Sequence, residues 1–306
     1  MRLDLLVKRE NFAKIFEQSF SRYLTDVFRV THDVSWKYNS LCSHSLLINY
    51  KLNVIYSKNI DRTKLKSIMS EYAYHSNLVR YFLQKTYISL SSCIYFEWIF
   101  TKNRVEVMPW ISELDNLCII PGNHSIRIID LQASSCRVIL KDGFNAQFIN
   151  NEIHLREKYR FLPIPKLLNV DLSGLWYEEE QVSALPFNRI NNKNIKAKVL
   201  LEACSSLLNL YDATVEEVDT HDYLKSLNEP CCDLVDRLPS VYNKEERDRI
   251  KSVLDWLTSN TNAPSVCNIE LVQSHGDFQP ANILIDNIDQ QLYLIDWEYT
   301  AKRSVY

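Results

Sequence analysis

The chain has 306 residues, 46% of them hydrophobic and 24% charged, with a formal net charge of −3. That length suits a sizeable core and more than one domain; the charge balance, with basic residues scattered rather than gathered in a stripe, argues against nucleic acid or an anionic membrane as a partner. The eight cysteines include no Cys-x-x-Cys pair, which speaks against a zinc site or disulfide framework and for reduced thiols in the cytoplasm.

The opening MRLDLLVKRENF has no uninterrupted apolar run, so no signal peptide is expected. The most apolar window, 87–100, is short and broken by Glu97, so no transmembrane segment is expected either. Residues 1–112 are rich in Tyr, Phe and Trp, with helical periodicity over 11–27 and 62–84 and strand-like alternation over 46–56. Without a motif, this stretch reads as a mostly helical N-terminal accessory region. Residues 113–180 change character: CII, SIRIID and CRVILK are short β-type runs separated by PGNH and LQASS, followed by a helix over 148–160, the breaker PIP and a strand in LWYEEEQV. Residues 181–306 are helical over 191–210 and 244–256, with the polar NEPCC between, and reach SHGDFQPANILIDNIDQQLYLIDWEYT at 274–300.

In that last stretch a turn at Gln279-Pro280 separates two short strands, so Asp277 and Asn282 project into one space, and the returning strand delivers Asp296 beside them. Two acids and an amide, all oxygen donors, suit a hard divalent cation such as Mg²⁺. An acid left over can orient a hydroxyl or accept its proton. This is the layout that phosphoryl transfer asks for.

HGDFQPANILID followed by LIDWEY resembles the catalytic loop and metal-binding segment of the aminoglycoside phosphotransferase and choline kinase family, small-molecule kinases with a protein-kinase-like fold. The resemblance spans about 117–297 and is strongest at its end. It implies an α+β fold of two lobes, an antiparallel β-sheet ATP lobe at 113–180 and a mainly helical lobe at 181–306. It also implies ATP and Mg²⁺, with Asp277 as the catalytic aspartate, Asn282 and Asp296 as metal ligands, and His275 as a brace of the loop.

Upstream, the resemblance implies that Lys141, at the end of RVILK, neutralises the α/β-phosphates and is held by a helix glutamate, Glu152 or, second, Glu157. PGNHS occupies the place of a phosphate-covering loop: Gly122 allows a φ > 0 turn, and Asn123 and Ser125 offer donors to phosphate oxygens, with His124 facing the phosphates or simply half-exposed. The main chain of Glu180 and Val182 would hold adenine. The acidic run at 178–180 either forms a solvated strand edge or attracts a cationic substrate, but alternation forbids all three from facing one pocket.

The family's helices beyond the metal-binding Asp have little room here, since ten residues follow Asp296 (306 − 296). The acceptor site is therefore expected either to draw on residues 1–112 or to be incomplete. The reading is an ATP- and Mg²⁺-dependent kinase of a small hydroxyl acceptor, leaning toward a sugar or polysaccharide precursor. The alternatives are a catalytically impaired nucleotide-binding module, or an aminoglycoside or choline/ethanolamine kinase.

Overall fold

Two helices, α1 (Leu3–Arg9) and α2 (Phe12–Phe28), open the computed structural model, which describes all residues except 1–2, 39–41, 43, 71–76, 237–242, 261–267, 287–288 and 305–306. In α2, Phe12, Phe16 and Phe20 recur every four residues, which puts them on one face, and all three are fully buried. The Phe16 ring meets Trp36 edge-on with centroids 5.7 Å apart. The helix stops where Arg29 turns left-handed (φ 59°) and its N–H closes back on the Thr25 carbonyl.

The following elements are β1 (Asp33–Tyr38), β2 (Ser45–Asn49), β3 (Val54–Ser57), α3 (Arg62–Ser70), α4 (Leu78–Ser91), α5 (Glu97–Phe100), β4 (Asn103–Met108), β5 (Leu117–Pro121), β6 (Ser125–Asp130), β7 (Ser135–Leu140), α6 (Gln147–Lys158), β8 (Leu167–Val170) and β9 (Trp176–Glu180). The strands form one nine-stranded sheet in the order β1-β4-β2-β3-β5-β6-β7-β9-β8. Side chains alternate between its faces. Ile119, Ile126, Ile128 and Ile139 join α2 in one core, while Cys136, Val138 and Leu140 join Ile149 and Ile153 of α6 in another on the opposite face.

Residues 1–112 therefore differ from the expected helical accessory region. They supply four strands of the sheet, and Ile55↔Ile119 pairing joins them directly to β5. The stretch 46–56 is a hairpin rather than one strand, reversed at Asn53 (φ 56°), and both its strands are buried on both faces, which blurs the period-2 signal. The periodic run 62–84 is two helices. Asn77 accepts hydrogen bonds from the N–H groups of Val79 and Arg80 at 3.0 and 3.3 Å and so starts α4 afresh.

Past β9 come β10 (Ala184–Pro186), α7 (Lys193–Thr214), β11 (Glu216–Asp219), α8 (Thr220–Asp236), α9 (Lys244–Asn260), β12 (Asn268–Ser274), β13 (Ile283–Asp286), β14 (Leu292–Leu294) and β15 (Ala301–Ser304). The chain divides into two units, Met1–Leu200 with Asp277–Tyr299, and Leu201–Gly276 with Thr300–Tyr306. A small antiparallel sheet, β10-β13-β14, belongs to the first unit; the second holds β11-β12-β15 together with α8 and α9. The mixture of helix and antiparallel sheet is the α+β class expected, but the division does not fall at 112 or 180. The Asp277–Tyr299 segment goes with the large sheet. No helix among the described residues is long and apolar enough to cross a membrane.

A chain begun at residue 113 loses α2 and four strands, leaving β5 as an edge and half of its core uncovered. It is expected to lose the cooperative thermal unfolding of the full chain when followed by circular dichroism. A cooperative transition in that fragment would mean that residues 1–112 fold apart.

Candidate functional site

The β13–β14 hairpin pairs Ile283 with Leu294. One step further along the same ladder, the Ile295 N–H donates to the Asn282 carbonyl at 3.0 Å, which sets Asn282 beside the residue preceding Asp296. Trp297, fully buried, donates its indole N–H to the Leu294 carbonyl at 3.0 Å and anchors the turn that carries Asp296. Asp296 itself has φ 70°, the left-handed region that costs most side chains strain and that Asp tolerates.

On the other side of Asn282, a turn closed by its own N–H on the Gln279 carbonyl (2.9 Å) brings Asp277 back. The Asn282 amide nitrogen donates to the Asp277 carbonyl at 2.9 Å and to its carboxylate at 3.2 Å. Gln279 donates to the same carboxylate oxygen at 2.8 Å. With its nitrogen so committed, Asn282 presents its amide oxygen to any cation. An amide oxygen at Asn282 and a carboxylate at Asp296 are hard donors of the kind that could hold Mg²⁺, which usually takes one or two protein ligands and completes its shell with water and phosphate oxygens. His275 is buried.

Above Asp296 lies a cavity lined by Gly122, Asn123, Ser125, Arg127, Ile295, Asp296 and Glu298, so the hairpin residues expected to cover phosphates share a cavity with the expected metal ligand. Gly122 is needed there for a reason other than the one expected. It is not among the glycines with positive φ; instead a Cβ at this position would lie 2.9 Å from the Ser125 carbonyl oxygen, which accepts the Gly122 N–H. His124 stacks on Phe148 at 4.0 Å and hydrogen-bonds Glu298 through Nδ1 at 3.0 Å, tying the hairpin to the Asp296 segment. Burial, then the nearby Asp296, raises the Glu298 pKa, and His124 works against that rise.

The expected pairing of Lys141 with Glu152 is not found. Lys141 follows β7, and its fully buried ammonium is ion-paired with Glu10 and lies over the rings of Phe12 and Phe144. It also donates to the carbonyls of Asn123 at 2.7 Å and Gly122 at 3.3 Å, from behind the hairpin. Burial lowers its pKa, and Glu10 opposes the shift. Glu152 faces the other way and pairs with Arg156, while Glu157 is exposed.

The charges that do converge carry no motif in the sequence. Arg156 bridges Glu152 to Glu179, the latter at 2.8 Å; Arg127 donates to Glu179 at 3.1 Å and lies 3.7 Å from Asp296. Burial alone would lower the Arg127 pKa, but the groups around it, Glu179 foremost, then Tyr177, Cys136 and Asp296, outweigh this and raise it. The acidic run resolves by strand alternation. Glu179 points inward, Glu178 receives Arg137 at 3.1 Å, and the Glu180 carboxylate accepts the Lys166 N–H at 3.0 Å. The Glu180 N–H is already bonded to the Lys166 carbonyl at 3.0 Å, and Val182 lies in the link from β9 to β10.

No family model matches the chain, and no curated protein does. Among solved structures it is similar to a choline/ethanolamine kinase family protein from Mesorhizobium loti, at 14% identity and TM-score 0.40 over 62% of this chain and 60% of that one. It is also similar to a choline kinase from Streptococcus pneumoniae, at 17% identity and TM-score 0.36 over 62% of each chain. A third is an aminoglycoside phosphotransferase in complex with ADP and hygromycin B, at 14% identity and TM-score 0.39 over 61% of this chain and 67% of that one. The chain thus spans about three fifths of the first two proteins. At these values the functional reading rests on the residues and geometry described above.

Glu179 holds two arginines, one of which, Arg156, is only 4% exposed. Removing one partner from a buried charge network typically costs about 3–5 kcal/mol, because it leaves an uncompensated charge. Glu179→Ala is expected to lower unfolding stability by that order in a urea titration, and a loss under about 1 kcal/mol would show the network to be solvated.

Proposed function

We propose that this chain is an ATP- and Mg²⁺-dependent kinase that transfers the γ-phosphoryl group to a hydroxyl of a small acceptor. The observation that carries the reading is the arrangement around Asn282: its amide nitrogen is spent on Asp277, its carbonyl accepts the N–H of Ile295 just before Asp296, and Asp296 lines a cavity with a hairpin. In the proposed reaction the acceptor oxygen bonds to the γ-phosphorus, the bond to the β–γ bridging oxygen breaks, ADP leaves, and the hydroxyl proton passes to the Asp277 carboxylate. Mg²⁺ held by Asn282 and Asp296 would neutralise the β- and γ-phosphates.

The protein's own residues divide the remaining work. Asn282 and Gln279 fix the Asp277 carboxylate by hydrogen bonds, so the base needs little reorganisation when the acceptor arrives. Gly122, Asn123 and Ser125 line with Asp296 the cavity that the phosphates would occupy. A sugar or polysaccharide precursor is the acceptor class we favour, because strand alternation spreads the acids at 178–180 over both faces and leaves little to attract a polycation. The direct test is a thermal-shift titration with ATP and Mg²⁺, then ATP consumption against sugars, amino alcohols and aminoglycosides. Nucleotide binding with no turnover on any acceptor would favour a binding module instead.

Two variants separate the roles. Asp277→Ala is expected to cut turnover by about 10²–10⁴-fold with nucleotide affinity nearly unchanged, as befits a group that meets the acceptor. Asp296→Asn, which keeps a residue tolerant of φ 70°, is expected to erase most of the Mg²⁺-dependent thermal stabilisation by nucleotide while the apo protein still folds, with a small loss from the half-exposed Arg127 pair. Equal loss of nucleotide binding in both variants would make Asp277 structural.

A further inference from the structure

We propose that Arg127, and not Lys141, is the cation that binds the nucleotide's phosphates; the proposal rests on the kinase reading above. The register of the sheet separates the two residues. Ser125, Ile126 and Arg127 pair with Leu140, Ile139 and Val138, and cross-strand partners share a face. Ile126 and Ile139 lie in the core with α2, whereas Val138 and Leu140 pack with Ile149 and Ile153 of α6. Arg127 therefore stands on the α6 side, where Asp296 is, whereas the Lys141 ammonium, at the end of β7, is held by Glu10 between the rings of Phe12 and Phe144.

The donor count points the same way. An ammonium has three donors, and Lys141 spends all three, on Glu10, the Asn123 carbonyl and the Gly122 carbonyl. A phosphate reaching it would have to displace the hairpin backbone. Arg127 has five donors in a planar fork, with one terminal nitrogen bonded to Glu179 and the other 3.7 Å from Asp296. It is the basic residue of the cavity lining, set there against two acids, Asp296 and Glu298, and its side chain is 30% exposed, which leaves it reachable. Phosphate oxygens sharing a cation with Asp296 would come beside this guanidinium, and bidentate contact with phosphate is the geometry its fork favours. Lys141 instead serves the scaffold, because its buried ammonium ties the 9–11 segment to the underside of the hairpin.

Calorimetric titration of ADP and ATP with Mg²⁺, and of adenosine, into the wild type, Arg127→Gln and Lys141→Met tests this. Arg127→Gln keeps a donor for Glu179 and is expected to weaken both nucleotides about 10- to 100-fold, the size of a lost charge-assisted contact, while adenosine binding is unchanged. Lys141→Met is expected to lower the melting temperature and leave nucleotide affinity within about threefold of wild type. Loss of nucleotide affinity in Lys141→Met with none in Arg127→Gln would overturn the assignment. Should Arg127→Gln fail to fold, arginine labelling of the wild type by phenylglyoxal decides: saturating Mg²⁺–ATP is expected to protect Arg127, and unprotected Arg127 under saturation refutes the proposal. A wild type that binds neither nucleotide would refute the kinase reading itself; binding that depends on Asp296 and not on Arg127 would remove only the arginine's role.

Discussion

A chain of alternating charge holds the cleft in shape: Glu152, Arg156, Glu179, Arg127 and Asp296, each beside a partner of opposite sign. The ions near its α6 end are almost wholly buried, and taking such a charge out of water costs several kcal/mol unless partners replace the lost hydration. Here every interior member has two neighbours of opposite charge. The members come from four different places, α6, β9, β6 and the turn after β14, so the network can be satisfied only when those elements sit in one particular relation. Hydrophobic packing of Val138 and Leu140 against α6 brings the elements together; the charges fix their register.

How far the sequence disclosed this depended on how local each feature is. The nearness of Asp277, Asn282 and the residue before Asp296 was legible because one turn and one short hairpin, contiguous in sequence, bring them together. Pairing of Lys141 with Glu152 is a non-local expectation. It fails because the Lys141 ammonium is taken by Glu10 and two hairpin carbonyls, while Glu152 is taken by Arg156. Arg127 carries no local mark. Its role emerges only from its partner Val138 across β6 and β7, and a single strand read alone does not reveal which face a helix will cover. Glu179 could have been suspected, as the middle of three glutamates on a strand whose neighbours on either side must point outward.

The N-terminal third defies its sequence pattern for a related reason. Strands β2 and β3 are buried on both faces, so the alternation over 46–56 does not mark the turn between them, and the helices flanking them carry the clearer periodic signal. Once the hairpin at Asn53 is recognised, the 1–112 segment becomes the continuation of the sheet that carries the candidate site. Lys141 and Glu10 then link that segment to the hairpin above the cavity, so the region that bears no motif helps to shape the site all the same.

The discontinuity of the first unit has a consequence for how the protein is made. Pro186 of β10 pairs with Leu284 of β13, 98 residues later (284 − 186), so the small sheet that carries Asn282 and Asp296 stays incomplete until the ribosome has added nearly a hundred residues. At roughly 5–20 residues per second that is a wait of about 5–20 s. Throughout it β10 has an unpaired edge, open to wrong strands or to a chaperone. The large sheet, from β1 to β9, can form before any of this, and the acids of the site join a scaffold that is already folded.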